Sequence, residues 1–247
     1  MATLGRAPAH AGHRRPEAVD FTPRLTSMRK NQERAARLIG NARIVLCQGS
    51  GTALSLWVGM IREPARILGA VTTAAEGLAL VERERPDLLL ATDRLEQGCG
   101  LTMAVAVKRL QPLTRVFMVV SRRHRLARLR EAIEACCEVL LLESRMGLGQ
   151  DLTALRSVCS GDSYIDGEIR AALRPRPDGR PAVPRLSPRE LEVLQGVAQG
   201  WTYGDIALRL YLSVDTVKTH ARSLFDKLEA RDRAHAAVIG QRLGFID

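Results

Sequence analysis

Five short, largely apolar runs, at residues 44–47, 67–71, 87–91, 116–120 and 139–142, alternate with segments whose apolar residues recur at helical spacing, at 52–61, 74–83, 101–110, 126–134 and from 148 onward. Apolar runs of this length, bounded by such segments, read as buried strands. Strands alternating with helices fold as one doubly wound parallel sheet. The expected architecture of this part is therefore α/β, a five-stranded parallel sheet with a ligand site at the carboxyl ends of its strands.

A different pattern takes over at residue 186. Ser187, Pro188 and Glu190 make a helix start: Ser187 caps, Pro188 is tolerated in the first turn, and Glu190 reaches back to the cap amide. Leu191, Leu194 and Ala198, widened by Val193 and Val197, give this helix an apolar stripe, and Gly200 stops it. Thr202 and Asp205 start a short second helix with Ile206, Ala207 and Leu210 inward. Tyr211 and Leu212 form a connector, and Ser213 caps a third helix that buries Val217, Ala221, Leu224 and Leu228. Lys218, Thr219 and Arg222 then fall on its outer face. A fourth segment, 231–243, carries Ala234, Ala237 and Val238 as a small-residue face suited to helix packing or self-association. A short helix, a tight turn and a longer helix with a cationic outer face make a helix-turn-helix, whose second helix reads the major groove of DNA.

Over its whole length this small all-α four-helix segment resembles the LuxR-type helix-turn-helix of NarL/FixJ-class response regulators. The resemblance implies that Lys218, Thr219 and Arg222 face the groove. It places Thr202, Tyr203, Thr216, His220 and Lys227 near the DNA backbone, with Ser213 at the amino end of the reading helix. Lysine and arginine pair with guanine acceptors or phosphates, and hydroxyls reach phosphate oxygens. Tyr203 and Gly204 depart from the polar, helix-favouring pair of the family; Gly204 costs about 1 kcal/mol relative to Ala.

Residues 42–158 in turn resemble the receiver domain of response regulators. That family places two acids after its first strand, a phosphorylatable Asp after the third, Ser or Thr after the fourth and Lys after the fifth. The carboxylates hold Mg²⁺, the Asp is the nucleophile, and the metal and Lys neutralise phosphoryl oxygens. This chain has Gln48 and Gly49 at the acid pair, Thr92 at the aspartate position, Ser121 at the hydroxyl position and Glu143 at the lysine position. Asp93 is one residue late, and adjacent strand residues point to opposite faces, so it is expected to miss the pocket unless the loop rearranges. Leu140 stands where the family carries an aromatic. The resemblance therefore implies a degenerate, or pseudo-, receiver that does not accept a phosphoryl group.

Four segments follow: a basic, partly disordered arm at 1–41 with an amphipathic helix over 25–39, the receiver-like domain at 42–168, a Pro- and Arg-rich linker at 169–185, and the helix-turn-helix domain at 186–247. Lys and Arg against Asp and Glu number 8 and 3, 16 and 15, 5 and 1, and 8 and 8 in these segments. The net charge of +10 thus resides in the arm and the linker, and the DNA module is neutral. Non-specific DNA affinity arises from phosphate neutralisation, so Arg174, Arg176, Arg180 and Arg185 are expected to supply part of it, against the plainer reading of a solvated hinge. The run from Ser121 through Arg125 adds positive charge near the fourth helix of the sheet domain.

The remaining features exclude more than they assign. No apolar run approaches the roughly 18 residues of a membrane helix, and no hydrophobic stretch follows Arg14 and Arg15, so a cytoplasmic protein without membrane partners is expected. No nucleophile, base and acid arrangement or metal spacing stands out among five histidines and five cysteines, so no catalytic residues, metal or cofactor are expected. Gly49, Ser50, Gly51 and Thr52 read either as an anion cradle or as a plain strand-to-helix turn. Cys47, Cys99, Cys136 and Cys137 are either redox-active or inert buried thiols. The expected function is a transcription regulator of two-component type, homodimeric on double-stranded DNA, independent of phosphorylation, with a receiver-like module for dimerisation or a protein partner. The alternative is a signalling adaptor whose two modules both act through protein contacts.

Overall fold

The computed structural model describes residues 20–61, 65–121 and 125–246. The disorder expected at the start of the arm and most of the basic run at 122–124 lie outside the described residues, apart from a short 3₁₀ turn at Thr22–Arg24. That turn leads into α1 (Leu25–Ile39), over the range expected from its amphipathic pattern.

The sheet domain then runs β1 (Arg43–Cys47), α2 (Gly51–Met60), β2 (Arg66–Val71), α3 (Ala74–Glu84), β3 (Leu88–Thr92), α4 (Gly100–Leu110), β4 (Arg115–Val120), α5 (Leu126–Glu134), β5 (Val139–Leu142), α6 (Gln150–Ser160), β6 (Tyr164–Ile165) and α7 (Gly167–Ala172). All pairings are parallel, in the order β2-β1-β3-β4-β5-β6. Six strands replace the expected five. The two-residue β6 holds only Val139 and Leu140 of β5, too short to leave a periodic signature. The last helix of the expected five begins at Gln150 rather than near 148, because Gly147 and Gly149 both take positive φ before it.

Alternate residues along each strand feed two cores. Val45, Cys47, Leu89, Ala91, Met118, Val120, Leu140 and Leu142 face α3, α4 and α5, whereas Ile44, Leu46, Leu88, Phe117, Val119, Val139 and Leu141 face α1, α2 and α6. Strand order reverses beside β1, whose neighbours are β2 and β3, so the ends of β1 and β3 flank the topological switch point.

Four helices follow: α8 (Pro188–Ala198), α9 (Tyr203–Leu210), α10 (Val214–Leu228) and α11 (Arg233–Leu243). Both capping boxes form, Ser187 with Glu190 and Thr202 with Asp205. On α10 the buried side chains are Val217, Ala221, Leu224 and Leu228, the four picked by spacing. On α8 the stripe is rotated: Val193, Leu194 and Val197 are buried, Leu191 is half-buried, and Ala198 is exposed at the last turn. Gly196 takes the inward place instead, with Ile206 Cγ1 of α9 2.7 Å from where its Cβ would stand.

The segment from 169 to 185 is not a free tether. Ile169 is fully buried on α7, Val183 is 2% exposed, and Arg130 of α5 donates to the Val183 carbonyl at 2.7 Å. Ala127 of α5 is buried within the core of the helical domain, and Arg125 lies under Gly244 after α11. Among the described residues no helix is long and apolar enough to cross a membrane.

Candidate nucleic-acid interface

The face of α10 opposite its buried residues is assembled by its amino end. Ser213 caps the helix by accepting from the Thr216 amide at 3.1 Å, and the two hydroxyls lie 2.8 Å apart. Thr219 donates to the Asp215 carbonyl, one turn back. Lys218 pairs with Asp215 at 3.2 Å, but the side chains are 58% and 91% exposed, so water and salt screen the pair and leave the ammonium available. Arg222 is exposed one turn beyond Lys218, and His220 is half-buried at the edge of the face. Lys218, Thr219 and Arg222 therefore project together into solvent.

The flanking residues divide. Thr202 is exposed at the start of α9 and bonded to Asp205 through its amide at 2.9 Å and its hydroxyl at 2.6 Å. The Thr202 hydroxyl and amide bonds hold the Asp205 carboxyl below the usual carboxylate range. Tyr203 is half-buried against the helical core, its ring 6.0 Å from the Arg233 guanidinium, rather than turned fully outward. Lys227 is not a free cation. Its ammonium lies 2.7 Å from Glu190, whose side chain is 5% exposed.

Glu190 is the feature that pattern reading sees only as a cap. One oxygen takes the Ser223 hydroxyl at 2.7 Å; the other takes Lys227 and the Ser187 amide, each at 2.7 Å. Burial pushes this carboxyl up, but the bonds from Lys227, Ser223 and Ser187 outweigh it and hold it below the glutamate value. Ser223 and Lys227, four residues apart on α10, are the signal for this cluster, but Glu190 lies 33 residues before Ser223 and the pairing is set only by tertiary packing. Arg209 adds a second fixed cation, stacked 3.9 Å over Trp201 at the end of α9.

On α11, Ala236, Ile239 and Gly240 are inward, Ala237 is half-buried, and Ala234 and Val238 are exposed, Val238 by 61%. Two of the three residues expected for self-association thus share a solvent-facing stripe. Of the linker arginines, Arg176 and Arg180 both reach Glu229 at the carboxyl end of α10, at 2.7 and 2.9 Å, and Arg185 reaches Glu134 at 2.9 Å.

At the switch point of the sheet, the Thr92 hydroxyl donates to the Arg94 carbonyl at 3.0 Å and lies 3.3 Å from Gln48 Oε1. Asp93 does not miss the pocket. It is 3% exposed, and its Oδ1 accepts from the Ser121 amide and hydroxyl, both at 2.8 Å. The strand ends at Thr92, so the alternation of faces no longer governs the next residue. Glu143 is exposed in a 3₁₀ turn after β5. Gly49 is wedged against the loop after β3: a Cβ there would overlap the Arg94 carbonyl oxygen and lie 2.7 Å from Leu95 Cα. Ser50 caps α2 through the Ala53 amide, so the turn at Gly49 serves the helix start. Among the described residues no group of three or more His, Cys, Asp or Glu is placed to hold a metal.

The thiols are mostly sequestered. Burial, with a smaller contribution from Glu76, pushes Cys47 up to about 12, and burial pushes Cys137 up to about 12. Cys99 is buried beneath the Arg125 guanidinium at 3.4 Å, while Cys136 is exposed.

Residues 184–239 match the family of bacterial regulatory proteins, luxR family. The response regulator protein VraR of Staphylococcus aureus is 27% identical over 174 residues, 70% of this chain and 82% of its own length. A probable transcriptional regulatory protein NarL of Mycobacterium tuberculosis is 28% identical over 219 residues, 87% of this chain and 97% of its own. Among solved structures, RcsB of Salmonella enterica bound to a flhDC promoter superposes with a TM-score of 0.56 at 18% identity, over 81% of this chain and 98% of that one. An RcsB–DNA complex superposes with a TM-score of 0.53 over 83% of this chain and all of that one, at 17% identity. The carboxyl-terminal domain thus belongs to the luxR family of bacterial regulatory proteins, carried behind a parallel sheet in a chain related to response regulators along most of its length.

Proposed function

We propose that the chain is a DNA-binding transcription regulator of response-regulator type that works without phosphorylation of its sheet domain. The observation that carries the reading is the outward face of α10, where Lys218, Thr219 and Arg222 stand together while the opposite face is fully packed. The structurally similar RcsB proteins were solved bound to DNA, and the same use of this domain is proposed here. Dimerisation through the exposed Ala234 and Val238 would pair two half-sites, since one recognition helix reads only a few base pairs. Tyr203 and Lys227 are assigned supporting roles, the first by packing and the second by neutralising Glu190.

Phosphorylation independence rests on the pocket chemistry. A metal carboxylate pair is replaced by Gln48 and Gly49, the cation by Glu143, and the neighbouring carboxylate of Asp93 is engaged by Ser121. Electrophoretic titration against genomic fragments at physiological salt tests the reading. A preferred fragment is expected, with Arg222→Ala losing about 1 to 3 kcal/mol on it and little on unrelated DNA. Equal affinity for all fragments would instead support a protein adaptor.

A further inference from the structure

The face of the sheet opposite α3, α4 and α5 is incompletely filled. A cavity of about 410 Å³ lies between α1, α2, α6 and the β3 and β4 side chains Leu90, Phe117 and Val119. The cavity opens to solvent at Gln32 and Met60, and its volume falls in the range of small-molecule sites, about 300 to 1,000 Å³. We propose that this cavity is a binding site for an uncharged, mainly apolar small molecule with one hydrogen-bonding end.

The lining carries the assignment. Phe21, Trp57 and Phe117 supply flat apolar walls, and Met28, Met60 and Met146 supply flexible, polarizable ones that adapt to a ligand's shape. Half of the chain's six methionines therefore converge here. Water is poorly held against this largely apolar lining, because an ordered water needs two to four polar partners. Among the described residues Asn31, Gln32, Asp151 and the indole N–H of Trp57 offer side-chain polar atoms, and the Asp151 carboxylate already accepts from the Gly147 and Gly149 amides at 3.2 and 3.1 Å. Among the described residues Asp151 is the one charged side chain in the lining, and its sign disfavours an anionic ligand. The amides of Asn31 and Gln32 suit a neutral hydroxyl, carbonyl or amine.

The wall formed by α1 is seated on purpose-shaped backbone. Gly147 has φ +74°, and a Cβ there would stand 3.0 Å from Met28 Cε and 3.3 Å from Phe21 Cε1. The glycine thus lets the amino-terminal helix close over the cavity. Met146 and Gly147 continue the connection that begins at Glu143, so an occupant would touch the segment linking β5 to α6. Outside the cavity, Leu56 and Val58 of α2 are 65% and 40% exposed, which makes surface association the competing explanation for any hydrophobic binding. The proposal does not depend on the DNA-binding reading.

The full chain is titrated with phenylnaphthylamine, an uncharged dye that brightens in apolar surroundings, and separately with its anionic relative anilinonaphthalene sulfonate. One saturable site for the neutral dye is expected, at least about tenfold tighter than for the anion. Trp57→Phe is expected to retain the site but lose most energy transfer from tryptophan, since Trp201 lies in the other domain. Ala36→Phe, which fills the cavity from α1, is expected to weaken binding about tenfold or more with circular dichroism unchanged, and Ala35→Leu provides the same test if the first variant unfolds. Leu56→Ser is expected to have no effect. Absence of saturable binding, equal affinity for both dyes, insensitivity to cavity filling, or loss only in Leu56→Ser would each overturn the proposal.

Discussion

One carboxylate joins three parts of the helical domain. Glu190 caps α8, neutralises Lys227 and fixes Ser223, so α10 is oriented by the same group that starts α8. Replacing it with alanine leaves a partly buried ammonium and an open helix start, a loss of about 3 kcal/mol. Because its folded pKa lies below the ordinary 4.5, its stabilisation is present above that value and is lost as pH falls through the folded value. Thermal midpoints measured from pH 6 down to about pH 3 are expected to fall less steeply in Glu190→Gln than in the parent chain. Asp93 gives a second test at this scale. With both Ser121 donors on one oxygen and no acid pair nearby, intact mass is expected to stay unchanged after acetyl phosphate and Mg²⁺; a phosphoryl adduct absent from Asp93→Asn would refute the phosphorylation-independent reading.

Among elements, the linker and α10 meet at Glu229. Arg180 first, then Arg176, holds this exposed carboxyl below its usual range, and Arg180 also lies 3.7 Å from Asp178, so two guanidiniums share two carboxylates at the end of α10. Exposed pairs of this kind are weak, so phosphates compete for the arginines. The double variant Arg176→Ala, Arg180→Ala is expected to reduce the slope of log affinity against log salt by about 1 to 2; an unchanged slope would leave the linker a spacer. Elements with strong local signals were legible in the sequence: α1, α5 and β5 occupy the expected ranges, and the α10 stripe is the one its spacing predicts. What was not legible depends on distant partners. The rotation of α8 follows from Gly196 against Ile206, β6 exists only because β5 offers an edge, and Asp93 finds Ser121 because a loop turns after Thr92.

The whole molecule is more tightly joined than two modules on a tether. Ala127 of the sheet domain sits in the helical core, and Leu126 and Leu173 pack against both cores. Ala127→Asp would bury an unpaired charge at that junction. Amide exchange is expected to rise around residues 182–186 and 244–246 while α10 stays protected; a rise spread evenly over the helical domain would mean that the two parts fold as one unit.

The tight seat of Gly49 bears on the history open to this chain. Any side chain at that position collides with the backbone of Arg94 and Leu95, so a codon change to aspartate there fails before it can coordinate anything. The neighbouring loop has to be rebuilt first, and that rebuilding brings no benefit by itself. On the phosphorylation-independent reading proposed above, gaining an acid at this position would therefore require coordinated changes rather than a single substitution.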